Sequence, residues 1–363
     1  MKFRCERDVL VEALGIAGRA VSGRSSLPGL SGIRAELVGD QLTLTGSDLD
    51  LTISTVVTVS GESDGVSVIP ARLASDIVKA VQPGAVSFAA EDESLAIRAG
   101  RSDFSIRLIS GDEFPQLAKL ESEPVTLASS QLAESLKQVV LAASSDDSRP
   151  ILTGVLLAAE ADGLRLVATD SYRLAMRDVS DVAVLDEGQS VLVPSRALGE
   201  LNRVLAQDER VSLRLGRNEA SFEVGSVTLI TRLIEGDFPN YRGLIPDSHP
   251  NELIVNREEL LDALRRVKLL ARESTPIRIE MSSEGMELVA VTQDVGTARE
   301  SVESRYTGSD LVVAFNPQYL LEGAEVAPGE EIALATIDEL KPALVRAVGV
   351  EDFLYLLMPV RVS

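Results

Sequence analysis

The sequence predicts an α+β fold assembled from three copies of one domain, in which helices alternate with antiparallel hairpins. Three observations carry this. First, the stretch Ala168-Thr169-Asp170-Ser171-Tyr172-Arg173-Leu174-Ala175-Met176 has counterparts at Thr45–Ile53 and Val291–Arg299, so Asp48, Asp170 and Asp294 recur 122 and 124 residues apart. A period of that size suits a whole domain and is too long for a solenoid unit. Second, Val193-Pro194-Ser195-Arg196 echoes Ile69-Pro70-Ala71-Arg72, and Gly236-Asp237-Phe238-Pro239 echoes Asp112-Glu113-Phe114-Pro115, both at an offset of 124. Third, apolar spacing switches in each copy from three-and-four to two and back, giving the order helix, strands, helix, strands. The expected domains are 1–122, 123–249 and 250–363, with linkers near Lys119–Pro124 and Pro246–Pro250.

The first helix is expected from about Arg7 to Val21, with Val9, Leu10, Ala13, Leu14, Ala17 and Val21 on one face; the Gly/Ser-rich loop from Ser22 to Ser26 follows it. Ile33, Ala35 and Leu37, then Leu42 and Leu44, alternate about a Gly39-Asp40 turn, and Leu49, Leu51 and Ile53 extend the pattern. A second helix runs from Ala71 to Gln82 and stops at Pro83-Gly84; strands follow at Val86–Phe88, Leu95–Ile97 and Phe104–Leu108. The second copy replays this with a helix from about Gln131 to Ala143 and a hairpin turning at Ala161-Asp162-Gly163. In the third, Asn256 caps a helix carrying Leu260, Leu261, Leu264, Val267 and Leu270, Ser283-Glu284-Gly285 turns the hairpin, and Phe315-Asn316-Pro317-Gln318 starts the last helix.

Composition narrows the function classes. Hydrophobic residues make up 45% but aromatics only 4%, with no Trp, so the cores are aliphatic. The single cysteine, Cys5, excludes an internal disulfide and reads as a small buried residue near a helix start. Neither a signal sequence nor a membrane-length apolar run is evident, which points to a soluble cytoplasmic protein. The net charge of −21 argues against broad gripping of phosphate backbones.

Little is available for catalysis. The one histidine, His249, falls in a polar linker and reads as solvated; no glycine-rich phosphate cradle appears, since Gly15 and Gly18 lie inside a helix pattern. The carboxylate groups Asp48 with Asp50, Glu91-Asp92-Glu93 and Asp146-Asp147 could serve acid–base or hard-metal chemistry, but their positions suit turns. No metal or cofactor is expected. The repeated aspartates read as structural, because an active site needs one copy. Positive charge instead gathers on the helices and their ends, at Arg19, Arg24, Arg72, Lys79, Lys137, Arg149, Arg196, Arg203, Arg265, Arg266, Lys268 and Arg272. Salt-bridged helix faces would explain this pattern; so would one basic face on an acidic molecule.

Over its full length the chain resembles the bacterial β sliding clamps, the processivity subunits of replicative DNA polymerase. The likeness rests on Met1-Lys2-Phe3, Leu42-Thr43-Leu44-Thr45-Gly46-Ser47-Asp48-Leu49, Val193-Pro194-Ser195-Arg196, Gly236–Arg242, Phe315-Asn316-Pro317 and Met358-Pro359-Val360-Arg361, in that order and spacing. It implies three clamp domains, each with two helices packed on antiparallel sheets, and a head-to-tail homodimer closed around duplex DNA. Helix geometry agrees with two chains. Six helices at about 9–10 Å spacing enclose an opening of only ~8 Å, less than the ~12 Å of one major groove, whereas twelve leave ~27 Å.

The resemblance also implies residues. Arg24, Arg72, Arg149 and Arg196 would line or rim the hole, making weak, sequence-blind contacts while the acidic exterior discourages side-on binding. Pro150-Ile151 stands where relatives often carry aromatic or polar residues. A pocket for a short hydrophobic partner peptide, often with a Gln and a Leu-Phe pair, would be walled by Leu152, Thr169, Tyr172, Arg173, Leu174, Pro239, Leu244, Tyr319, Leu340, Leu356, Leu357, Met358, Pro359, Val360 and Arg361. Arg173 and Arg361 would be its polar rim. Tyr172 and Gly243 depart from the His and Arg common at those positions. Phe104 and Ile106 of one chain would meet Leu269 and Leu270 of the other. The implied partners are the polymerase catalytic subunit, the clamp loader, other polymerases, ligase and mismatch-repair proteins, at the nucleoid. A peptide-binding adaptor that does not encircle DNA and a carboxylate-dependent hydrolase are the rival readings.

Overall fold

The computed structural model describes residues 1–23, 27–110, 114, 122–246, 248–271 and 275–361. Six α-helices occur among them: α1 (Arg7–Gly18), α2 (Ala71–Ala80), α3 (Ser129–Val139), α4 (Ser195–Asn202), α5 (Arg257–Lys268) and α6 (Pro317–Val326). They fall two to each sequence repeat. The strands form four sheets, and every strand pairing described is antiparallel. The expected helix starts agree with these bounds to within two residues, while α1 and α2 end a turn or less earlier than periodicity suggested.

The chain divides into two compact units, Met1–Ser130 with Gly199–Leu233, and Gln131–Leu198 with Ile234–Ser363. The repeat has three copies but the packing has two bodies because strands of the central copy join both neighbours' sheets. In the first unit Val227–Arg232 pairs with Leu51–Thr58, extending the first copy's hairpins into an eight-stranded sheet. In the second, Arg173–Ser180 pairs with Phe353–Leu357 inside a nine-stranded sheet. These pairings satisfy backbone groups that would otherwise line open sheet edges.

The first unit's core is aliphatic, as composition required, with Phe3 stacked on Phe88 at 5.1 Å its main aromatic contact. Gly46 allows α1 to settle on the sheet, since a Cβ there would stand 2.1 Å from the carbonyl oxygen of Ala17. Cys5 is buried in the strand Lys2–Glu6, directly ahead of α1, and burial raises its thiol pKa. In the second unit the core gathers Leu156, Val167, Leu174, Leu192, Tyr241, Leu344 and Leu356.

One linker reading needs correction. His249 is half-buried with Nε2 enclosed and unpaired, and burial together with nearby Arg346 lowers its pKa. The strand Asn251–Asn256 begins two residues later, so the linker is drawn against the sheet rather than solvated.

Candidate functional site

The segment around Asp170 is a four-residue hairpin loop between the paired strand ends Thr169 and Leu174. The Asp170 carboxylate accepts from the backbone N–H of Tyr172 at 2.9 Å and of Arg173 at 3.0 Å, and the Thr169 hydroxyl donates to the Arg173 carbonyl at 2.7 Å. Ser171 takes the left-handed backbone conformation, φ +81°. Asp48 builds the same loop in the first copy, accepting from Asp50 and Leu51, with Leu49 at φ +82°. The third copy differs: Thr292 pairs with Gly296 across a three-residue loop, and Asp294 itself is left-handed at φ +62°. The structural reading of the aspartates therefore holds for two copies; in the third the loop is one residue shorter and Asp294 supplies positive φ instead of amide acceptance.

What sets the middle copy apart is Arg173. Its guanidinium is buried, donates to Asp170 at 3.1 Å and to Glu322 of α6, approaches the Tyr355 hydroxyl at 3.4 Å, and lies 4.2 Å above the Tyr319 ring. Burial alone would lower its pKa, but Tyr355 and Glu322 outweigh that and hold the charge. Tyr355 is fully buried, which pushes its own pKa up, and its hydroxyl donates to the Tyr319 carbonyl at 3.0 Å. The cluster locks the Tyr172 turn to α6 through a charged, cation–π and hydroxyl network. Arg173 is thus placed in the wall and fully engaged, where sequence reasoning put it on the rim.

The chain's terminal residues close this arrangement. Leu356 and Leu357 are buried in the sheet opposite Leu174 and Arg173, so they back the site rather than line it. Beyond them the Met358 amide donates to the Tyr172 carbonyl at 2.9 Å and the Val360 amide to the Ala314 carbonyl at 2.7 Å. Two main-chain hydrogen bonds, one to the Tyr172 loop and one to the strand Leu311–Phe315, hold Met358-Pro359-Val360 in place. Tyr172, Leu244, Leu340, Met358 and Val360 are exposed, Tyr172 by 60%. Leu152, Thr169 and Leu174 are buried beneath, Tyr319 and Pro359 half-buried, Pro239 and Arg361 exposed. Pro239 and Leu244 flank Tyr241, whose ring is anchored in the core edge-on to Phe238 at 6.4 Å. A cavity of about 670 Å³ continues from this surface, lined by Arg278, Val312, Ala314, Glu339, Leu340, Val360 and Arg361. Exposed apolar side chains on a backbone held by hydrogen bonds form a surface that an apolar peptide could cover.

The remaining expected residues lie elsewhere. Arg24 and Arg272 lie outside the described residues. Arg72, on α2, is almost wholly exposed and 3.8 Å from Asp76; Arg196, on α4, is also exposed. Arg149 is braced by Asp146 at 3.0 Å and reaches Ser171 at 3.4 Å, so it supports the loop that carries Tyr172. Arg265 and Arg266 are paired with Glu325 and Glu300. Phe104 is exposed on Ser102–Arg107, an edge strand of the five-stranded sheet, while Ile106 packs on the core. Leu269 is 85% exposed just past α5, and Leu270 is half-buried. Asp48, Asp92 and Asp146 sit in turns, and Asp146 has its pKa lowered by hydrogen bonds from Ser148 and Arg149. Among the described residues no group of three His, Cys, Asp or Glu could hold a metal, and no helix is long and apolar enough to cross a membrane. Glu322 and Tyr355 were missed from sequence; a glutamate following the apolar Tyr319-Leu320-Leu321 on α6 was the available signal.

Comparison with known proteins matches three family models in succession: the N-terminal domain of the DNA polymerase III beta subunit over residues 1–118, its central domain over 126–240 and its C-terminal domain over 242–361. The chain is similar to the beta sliding clamp of Bacillus subtilis, 32% identical over 99% of this chain and 100% of the relative. It is also similar to that of Synechococcus elongatus, 33% identical over 99% of each. Among solved structures, the B. subtilis sliding clamp superposes with a TM-score of 0.93 at 31% identity, and a griselimycin-bound sliding clamp from Bartonella birtlesii with 0.94 at 30%, each covering both chains fully.

Proposed function

This chain belongs to the bacterial β sliding clamp family, the DNA polymerase III beta subunits, and we propose that two copies close head to tail around duplex DNA and tether the replicative polymerase through the groove beside Tyr172. The protein is a DNA polymerase sliding clamp. The family is a processivity factor, and no catalytic site of its own is proposed. The observation that carries the tethering reading is the buried Arg173 cluster, which fixes the Tyr172 turn and the terminal segment as one rigid wall. A rigid apolar groove costs little ordering on binding, so short peptides from several proteins can share it. The clamp loader, other polymerases, ligase and mismatch-repair proteins are the proposed users, and the nucleoid the proposed location.

For DNA, Arg24, Arg72, Arg149 and Arg196 are the proposed contacts. Arg72 is almost wholly exposed, whereas Arg149 is partly committed to Asp146. Encirclement needs no strong grip, which is compatible with a net charge of −21. The test is to load the protein with its clamp loader onto nicked circular DNA and then linearise. A clamp stays on the circle and slides from the cut ends. A peptide adaptor never loads, and a hydrolase shows metal-dependent turnover that Asp48→Asn or Asp146→Asn abolishes; either outcome defeats the reading.

A further inference from the structure

Within the second unit most exposed arginines are committed: Arg265, Arg266, Arg299 and Arg305 each hold a carboxylate. The cavity beyond the terminal segment is different. Arg278 and Arg361 both line it, and neither guanidinium has a hydrogen-bond or ion-pair partner among the described residues, although Glu339 lines the same space. Arg278 is half-buried on the strand Ile277–Ser282, where its backbone pairs with Ala314, the residue whose carbonyl takes the Val360 amide. It therefore stands one strand behind the groove's terminal wall. Leu340, Val312 and Val360 supply the cavity's apolar side and are exposed. The loop carrying Leu340 is held by Asp338, which accepts from the Leu340 and Lys341 amides at 2.8 Å each.

Two guanidinium groups without a carboxylate partner at one half-apolar cavity stand out on a chain with 56 acids against 35 bases. Guanidinium nitrogens held by no protein carboxylate remain available to a ligand, and a carboxylate is their best geometric match. We propose that this cavity is an extension of the peptide groove that selects an acidic residue flanking the hydrophobic anchor of the partner peptide. One side chain or terminal carboxylate would sit between Arg278 and Arg361 while its neighbouring apolar residue covers Leu340 and Val360. The inference rests on the peptide-groove reading and adds a charge preference to it. The repulsive general field of the molecule makes the preference local: acidic peptides gain only where these two arginines meet them.

The test uses the full chain and three fluorescein-labelled synthetic peptides sharing one core with a Gln and a Leu-Phe pair, flanked at both ends by Glu-Glu, Ser-Ser or Lys-Lys. Fluorescence anisotropy at low salt should rank Glu over Ser over Lys, with the Glu peptide roughly three- to tenfold tighter than the Ser peptide. The advantage should shrink as salt is raised. Arg278→Ala should bring the Glu peptide down to the Ser peptide's affinity while leaving the Ser peptide unchanged. Arg278→Lys should restore part of the preference and Arg278→Glu should invert it. If no peptide binds, the groove reading itself fails and the extension with it. If the Ser peptide binds but the Glu peptide has no advantage, or if Arg278→Ala weakens both equally, the groove stands and the acidic selection is overturned.

Discussion

A single missing side chain shapes the pocket wall. Gly323 of α6 lies against the Tyr355 ring, where a Cβ would stand 2.5 Å from both Cδ1 and Cε1. Tyr355 cannot retreat, because it is fully buried and its hydroxyl is bonded to the Tyr319 carbonyl and beside Arg173. Alanine is the better helix former by about 1 kcal/mol, but overpacking a closed core costs roughly 1–3 kcal/mol, so the steric effect wins. Gly323→Ala is therefore expected to lower stability by up to about 2 kcal/mol in a urea titration. By displacing Tyr355 it should also loosen Arg173 and weaken peptide binding severalfold. A variant as stable as the parent, with unchanged peptide affinity, would show that the ring has room the structure does not reveal.

Elements deliver these residues, and the helix starts matter most. Asn316 caps α6 by accepting from the amides of Gln318 at 2.9 Å and Tyr319 at 3.2 Å. The first turn so fixed carries the ring beneath Arg173. Asn316→Ala should cost about 1 kcal/mol, as loss of a helix cap does, and should cost peptide affinity more than the same loss at the Asn256 cap of α5, which positions no groove residue. Equal effects of the two cap deletions on peptide anisotropy would dissociate the cap from the groove. These elements were legible in the sequence because caps, turns and apolar periods are local. The Pro-x-Arg starts of α2 and α4 and the Asp170 turn could be read directly. The strand Lys2–Glu6 escaped because its five residues run into α1 without a turn. The pairing of Val227 with Thr55 and of Arg173 with Leu357 escaped for another reason: it joins segments far apart in sequence, and nothing in either segment names its mate. Hence the repeat count could be read but the two-body packing could not. The groove was legible only through its family likeness, and its buried charge cluster depends on long-range contacts that no spacing encodes.

At the scale of the whole molecule, a closed ring of two head-to-tail copies contains the same interface twice, so any weakness at that surface counts double. Leu269 projects 85% exposed immediately beyond α5, its backbone N–H donating to the Arg266 carbonyl at 3.2 Å. Leu270 is tied down differently, its carbonyl accepting from the Thr292 hydroxyl. The proposed seam buries this leucine against the partner's Phe104 edge strand. Burying a leucine contributes about 1.5–3 kcal/mol, so with two interfaces Leu269→Ala should raise the dimer dissociation constant by roughly two to four orders of magnitude. Leu269→Ala together with Leu270→Ala should go further, with some loss of fold stability because Leu270 is half-buried. Gel filtration with light scattering at micromolar concentration should therefore find dimers of the parent and monomers of the double variant. A monomeric parent, or a double variant that elutes and scatters as the parent does, would remove this surface from ring closure and leave the encircling mechanism without its seam.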